Sequence, residues 1–272
     1  MVFVLVAILF LLSASSTAGL VQMVKAVGII YINADGSISP STAPIYTADN
    51  ITYTLTASTD YEINVQRDNI TVDGSGNTIQ FDGNQFGIYL DKVNNVTIEN
   101  MMIIGFYSIW LESSCNNTIS GNNITTTYGI EGITLDSSSN DNTISGNTLI
   151  GGGLYVSDSY QNSVENNTLN GRPLVYLEDA SNLTVDDAGQ VVLLNCKNIT
   201  IESLNLSQTD YAIQLLGTSN STISGNNITN NENGIWLNTS SDNNISENNI
   251  TNNENGIWLD LLQTITVFLE TT

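Results

Sequence analysis

Residues 226–237 read NNITNNENGIWL, and residues 248–259 repeat the same twelve residues at a step of 22. The GIWL at the end of each copy has relatives upstream: GIYL at 87, SIWL at 108, GITL at 132, GLYV at 153, LVYL at 174, VVLL at 191 and AIQL at 212. A second apolar series runs Ile98, Ile119, Ile144, Val164, Val185, Ile201, Ile223, Ile245, and a third usually follows five positions later. A period near 22 marks a solenoid. Each apolar segment is short, rich in β-branched residues and alternates with polar ones, which is the period of a strand. Asn, Gly and Ser clusters separate the segments as turns. The expected fold is all-β: a parallel β-helix solenoid of about nine to ten coils of roughly 22 residues, stacked at the inter-strand spacing. A leucine-rich repeat has a similar period, but these turns lack the helical half it needs.

The composition narrows the function. The 272 residues are 41% hydrophobic, enough for a core, and only 12% charged. With 27 acidic and 5 basic residues the formal net charge is −22. Nucleic acid is excluded as a partner, because binding it rests on cationic side chains. There is no His, so the commonest general base and transition-metal ligand is missing. Cys115 and Cys196 lie too far apart to imply a small disulfide framework and read as free buried thiols.

Met1 to Leu12 is an unbroken apolar run, too short for a membrane span and suited to a secretory signal. Residues 1–26 are expected to be that signal, cleaved after Ala26, with a retained anchor as the alternative because no Lys or Arg precedes the run. Removing them deletes Lys25 alone among charged residues, leaving 27 acidic and 4 basic and a charge of −23. Residues 27–68 are expected to form an entry or capping segment, and 69–272 the repeats. The last residues offer no amphipathic cap, so further domains are expected in a longer protein.

The turn NTISGNNIT, the coil length, and above all GRPLVYLEDASNLTVDDAGQVVLLNCKNITIESLNL at 171–206 resemble right-handed β-helices of the NosD type, in particular archaeal NosD-type surface proteins. IYINADGSISPSTAPI and NITVDGSGNTIQFDG resemble their entry segment and first coils. The resemblance covers most of residues 29–260. It implies a right-handed β-helix in a secreted or cell-surface, periplasm-like setting, in a broad group linked to carbohydrate binding and sugar hydrolysis. It also implies copper handling. The ligands argue against copper: there is no His, the two Cys are distant, and Met101 and Met102 are adjacent in sequence.

In Ile-x-Leu the outer residues point inward and the middle one outward. Along the array that middle position holds Tyr89, Trp110, Thr134, Tyr155, Tyr176, Leu193, Gln214, Trp236 and Trp258, which include all three tryptophans. Tyr89, Trp110, Tyr155, Tyr176, Trp236 and Trp258 are therefore expected to form an outward aromatic ladder on which a polysaccharide or cell-surface glycan stacks. Outward aromatics are also good strand formers, so a purely structural face is the competing expectation. The next position is biased to acids, and Asp91, Glu112 and Asp136 are the candidate ligands should calcium bind; no other cofactor is implied. Hydrolysis or lysis of polysaccharide by these carboxylates is the alternative function. No catalytic residue is assigned. Arg172 is the one basic residue near the face that a lyase could use. Fourteen Asn-x-Ser/Thr sites are present, and those in NNIT are expected to form side-chain ladders rather than glycan attachments.

Overall fold

The structure, a computed structural model, describes residues 28–81, 86–126 and 130–260, and the backbone of 265–267. The expected signal, residues 1–26, lies outside the described residues. The chain winds into a β-solenoid of about nine turns with no helix among the described residues.

The coils fall into two units. In the first, one sheet stacks Ile29–Ile32, Glu62–Val65, Phe86–Asp91, Tyr107–Glu112, Ile133–Asp136 and Leu154–Val156 in parallel. A second stacks Thr52–Leu55 through Ser163–Glu165, and a third Thr78–Gln80 through Thr168–Leu169. Parallel pairing thus begins at Ile29–Ile32, inside the segment expected to be an entry. Short antiparallel strands, Ile38–Ser39 and Ile45–Tyr46, cover that end. The Ile and Leu anchors of all three sheets share one core.

At Asn170-Gly171 the winding breaks. Both residues have positive φ, 52° and 79°, the backbone of a tight hairpin turn. Arg172–Glu178 therefore folds back antiparallel on Thr168–Leu169, pairing Leu169 with Arg172. From there a second parallel unit grows through Gln190–Leu194, Tyr211–Leu216, Asn233–Asn238 and Asn255–Asp260. The hairpin fuses the third sheet of the first unit to the leading sheet of the second, giving ten strands in one sheet.

This reversal changes which face is inside. Val191, Leu193, Ile213, Leu215, Ile235 and Leu237 form the second unit's own core. The opposite face, with Leu174, Val192, Leu194, Leu216 and Trp236, packs into the core of the first unit. The flank of the second unit thus caps the end of the first, which a stack of coils requires. The register also corrects one position of the expected ladder. Tyr176 pairs with Val192 and Val192 with Gln214, so Val192 holds the middle position and Leu193 points into the second core.

Side chains finish the cap. Leu154–Val156 is the last strand of its stack, and its free edge is paired by amides from the second unit. Gln190 accepts from the Leu154 N–H at 2.9 Å and donates to the Leu154 carbonyl at 3.0 Å. Gln214 donates to the same carbonyl at 2.6 Å and accepts from the Val156 N–H at 3.3 Å. Asp210 accepts from the Gly153 N–H at 3.1 Å. A Cβ at Gly153 would lie 2.2 Å from Gln190 Oε1, so glycine is what admits the amide. Two buried glutamines here act as a missing strand.

The turns are held by asparagine ladders. In the first unit Asn122, Asn147 and Asn167 are buried one above another; each side-chain oxygen accepts the backbone N–H of the coil before. The expected ladder at the NNIT sites is present as well: Asn249 donates to Asn227 and Asn227 to Asn205, each at 2.7 Å.

Candidate functional site

The first sheet's outer face carries an aromatic cluster that the Ile-x-Leu motif reveals only in part. Tyr89 and Trp110 stand side by side at the middle position, as expected. The paired residues Gly87-Ile88 and Ser108-Ile109 are both buried, which breaks strict alternation. Phe86 and Tyr107, three residues ahead of Tyr89 and Trp110, therefore join them. Phe86 stacks on Tyr89 with centroids 4.9 Å apart and planes at 17°. Trp110 lies 5.2 Å from Phe86 and 5.6 Å from Tyr107, edge to face with the latter. All four rings are partly exposed. Acids border them as anticipated, with Asp91, Glu112 and Asp136 in one register column. The Tyr89 hydroxyl donates to Glu112, and burial followed by this carboxylate pushes its pKa up.

The remaining aromatics do not extend this ladder. Thr134 interrupts it and is buried. Tyr155 stacks on Trp236 at 5.6 Å and on Tyr211 at 5.1 Å, across the contact between the units. Trp236 is only 4% exposed, so it is a docking residue and not a free platform. Tyr176 is likewise turned to the junction, where its hydroxyl donates to Glu178 at 2.7 Å. Glu178 in turn accepts the Gln161 N–H, capping another strand end. Trp258, 6.1 Å from Trp236, is 42% exposed at the far side. The single array of rings expected from the motif is two groups, because the hairpin turns the second unit's outer face inward.

An acidic corner forms where the groups meet. Glu131 occupies the slot that Phe86 and Tyr107 hold in earlier coils. Its carboxyl is half-buried, and burial, with Asp210 and Glu232 of the second unit nearby, raises its pKa from 4.5 to about 7. Asp210 is fully buried and raised by desolvation, although the Thr209 hydroxyl donates to it at 2.7 Å. Its Oδ2 has no partner. Glu232 is raised by desolvation, then by Asp210 and Glu254. Tyr107 is raised by desolvation, then by Glu131 and Glu232, which places the first aromatic cluster beside the corner. A cleft of about 650 Å³ opens alongside, lined by Thr126, Gly151 and Asn170 of the first unit and Gln208, Asn230 and Glu232 of the second, among others. Motif reading missed this corner because Asp210 and Glu232 reach Glu131 only through the docking of the two units.

Comparison with known proteins agrees with this architecture. The profile described as right handed beta helix region matches residues 61–188, and that described as periplasmic copper-binding protein (NosD) matches residues 151–268. Together the two matches span residues 61–268 and support a NosD-type right-handed parallel β-helix family. Among solved structures, an alginate lyase from Paenibacillus sp. str. FPU-7 is similar at 14% identity, over 80% of this chain and 82% of that one, with a TM-score of 0.36. A double mutant of the periplasmic alginate epimerase AlgG is similar at 14% identity, over 80% and 68%, with a TM-score of 0.31. No curated protein matches the chain.

The residues do not fit copper. Cys196 is buried in the second core and donates to the Leu177 and Leu194 carbonyls, while Cys115 sits in a turn of the first unit against the Ser138 carbonyl. Met101 is buried and Met102 points outward. Among the described residues no three His, Cys, Asp or Glu side chains gather where they could hold a metal ion. That holds for Asp91, Glu112 and Asp136, whose column includes Asp91 paired with Lys92 at 2.9 Å. Arg172 is paired with Asp187 at 3.0 Å.

Proposed function

We propose that the protein is an extracytoplasmic glycan-binding β-helix whose sugar-stacking surface is the Phe86, Tyr89, Tyr107 and Trp110 face. The observation that carries this reading is four partly exposed rings in mutual contact on a flat parallel sheet, bordered by carboxylates that can accept hydroxyl hydrogen bonds. Sugar rings present one apolar face and a rim of hydroxyls, and this surface offers the complement of both. The extracytoplasmic setting is supported by the apolar start of the chain and by the periplasmic description of its family.

The test is binding of residues 27–272 to a broad set of surface polysaccharides and oligosaccharides, with Trp110→Ala beside the wild type. Stacking of one sugar ring is worth about 1–2 kcal/mol, so Trp110→Ala should weaken binding roughly ten-fold or more while leaving the β-rich circular dichroism unchanged. Full affinity in a folded Trp110→Ala would remove the face from the reading. The same incubations assayed for reducing ends separate binding from hydrolysis, the alternative that the carboxylates permit.

A further inference from the structure

The acidic corner lacks a counter-charge. Glu131, Asp210 and Glu232 influence one another electrostatically, with Glu254 beyond Glu232, and the aromatic groups around Glu131 are Tyr107, Tyr155 and Tyr211. Among the described residues, the charged groups that shift Glu131 are all acids, Asp210 and Glu232, and no Lys or Arg figures among them. Like charges gathered in a half-buried site are tolerated by taking up a proton or by binding a cation. One metal ion is not the answer, since no three of these side chains converge on a point. Carboxylates that are near but not convergent suit several cationic groups carried on one ligand.

Two further observations point to a ligand in this place. Thr126 lines the cleft, is only 6% exposed, and its hydroxyl has no hydrogen-bond partner. Asp210 Oδ2, next to Thr209 of the same lining, is equally unpartnered in a residue that is 1% exposed. Buried polar atoms without partners are rare and costly to keep. Gln208, Asn230 and Asn252 also line the cleft and are hydroxyl-compatible, whereas the Asn170 amide is already engaged by Gly151, Ser207 and Gln208.

We infer that the junction cleft between the two units binds an amine-bearing glycan, a chain of protonated amino sugars whose ammonium groups pair with Glu232 and Glu254 of the lining while its hydroxyls meet the amide lining. The inference rests on the glycan-binding reading above and gives it a substrate class. The net charge of −22 favours such a ligand and disfavours uronate polymers. Binding carries a proton consequence. Glu131, raised to about 7 by burial and in part by Glu232, loses some of that elevation when an ammonium neutralises Glu232, so binding near pH 6 releases protons.

Titration calorimetry with a fully deacetylated glucosamine hexamer, its N-acetylated counterpart and spermine tests this at pH 6 in two buffers of different ionisation enthalpy. The amine hexamer is expected to bind at least ten-fold tighter than the acetylated one. Glu232→Gln should remove most of that difference. Wild-type binding should release a proton that Glu131→Gln does not release. Both substitutions remove a carboxyl strained in the folded state, so both variants should fold. Equal binding of the two hexamers overturns the inference and leaves glycan binding intact; no binding of either hexamer to folded protein also overturns the inference, while the broad glycan set with Trp110→Ala decides the glycan-binding reading separately. Spermine binding as tightly as the amine hexamer removes the sugar from the proposal. An amine preference untouched by either substitution assigns it to diffuse surface charge and overturns the junction site.

Discussion

At the residue scale, chemically identical positions have different fates, and partners decide which. Asn147 shows how much rests on one amide. Its oxygen accepts from the Asn122 N–H, and its NH₂ donates to the Ile119 carbonyl at 2.9 Å and to Asn167 at 2.9 Å, all buried. Leaving such groups unpaired costs about 1–3 kcal/mol each. Asn147→Ala should therefore destabilise the protein by about 2–4 kcal/mol in urea denaturation. Asn227→Ala breaks two amide contacts in the more exposed ladder, at 2.7 Å each, and should cost under about 1 kcal/mol. Equal costs would mean the inner ladder is not what holds the coils in register. Trp110 and Trp236 make the same point for rings: one motif, GIWL or SIWL, places one tryptophan on a partly open face and buries the other at 4% exposure.

At the scale of elements, the strands and their stacking were legible in the sequence, because each coil is built from local patterns that repeat. What was not legible has physical reasons. At 190–194 the strand is buried on both faces, so the apolar run QVVLL shows no alternation and its register can slide by one residue. The hairpin at Asn170-Gly171 did carry a signal, since Asn-Gly favours this turn, but it stood among many Asn and Gly turns that do not reverse the chain. Glu131 was visible as the residue aligned with Phe86 and Tyr107, although nothing local marked it as facing Asp210. The glutamines that pair the free edge of Leu154–Val156 act over 36 and 60 residues of sequence and left no local trace. Their role can be measured. Gln214→Leu keeps the volume but strips the Val156 N–H and the Leu154 carbonyl of a partner. Hydrogen exchange at Val156 should accelerate by roughly 10-fold or more, with the distant Ile98 amide unchanged. Unchanged protection at Val156 would show that apolar docking alone seals the edge.

For the whole molecule, the junction sets a pH dependence whose sign follows from the acids on either side of it. Glu131 is raised from 4.5 to about 7 by burial and by Asp210 and Glu232. The folded state then holds a proton that the unfolded chain has lost between about pH 4.5 and 7, so stability falls as pH rises through that window and the penalty is complete above it. Asp210 and Glu232 are raised as well and act in the same direction. Asp35 and Asp49, exposed in the N-terminal coils, are lowered by hydrogen bonds from Ser37 and from the Thr52 and Ile51 amides. Their contribution is present above pH 3.8 and is lost only as pH falls through the lowered values. The two opposing trends place maximum stability near pH 4–5, below the neutral range. A carboxyl shifted this far can cost up to about 3 kcal/mol once ionised. The urea midpoint should therefore drop between pH 5 and pH 8, and Glu131→Gln should flatten part of that drop, the remainder belonging to Asp210 and Glu232, while matching or exceeding wild-type stability at pH 8. A variant that follows the wild-type curve would mean that Glu131 ionises without opposition, and that the two units meet without the repulsion their carboxylates imply.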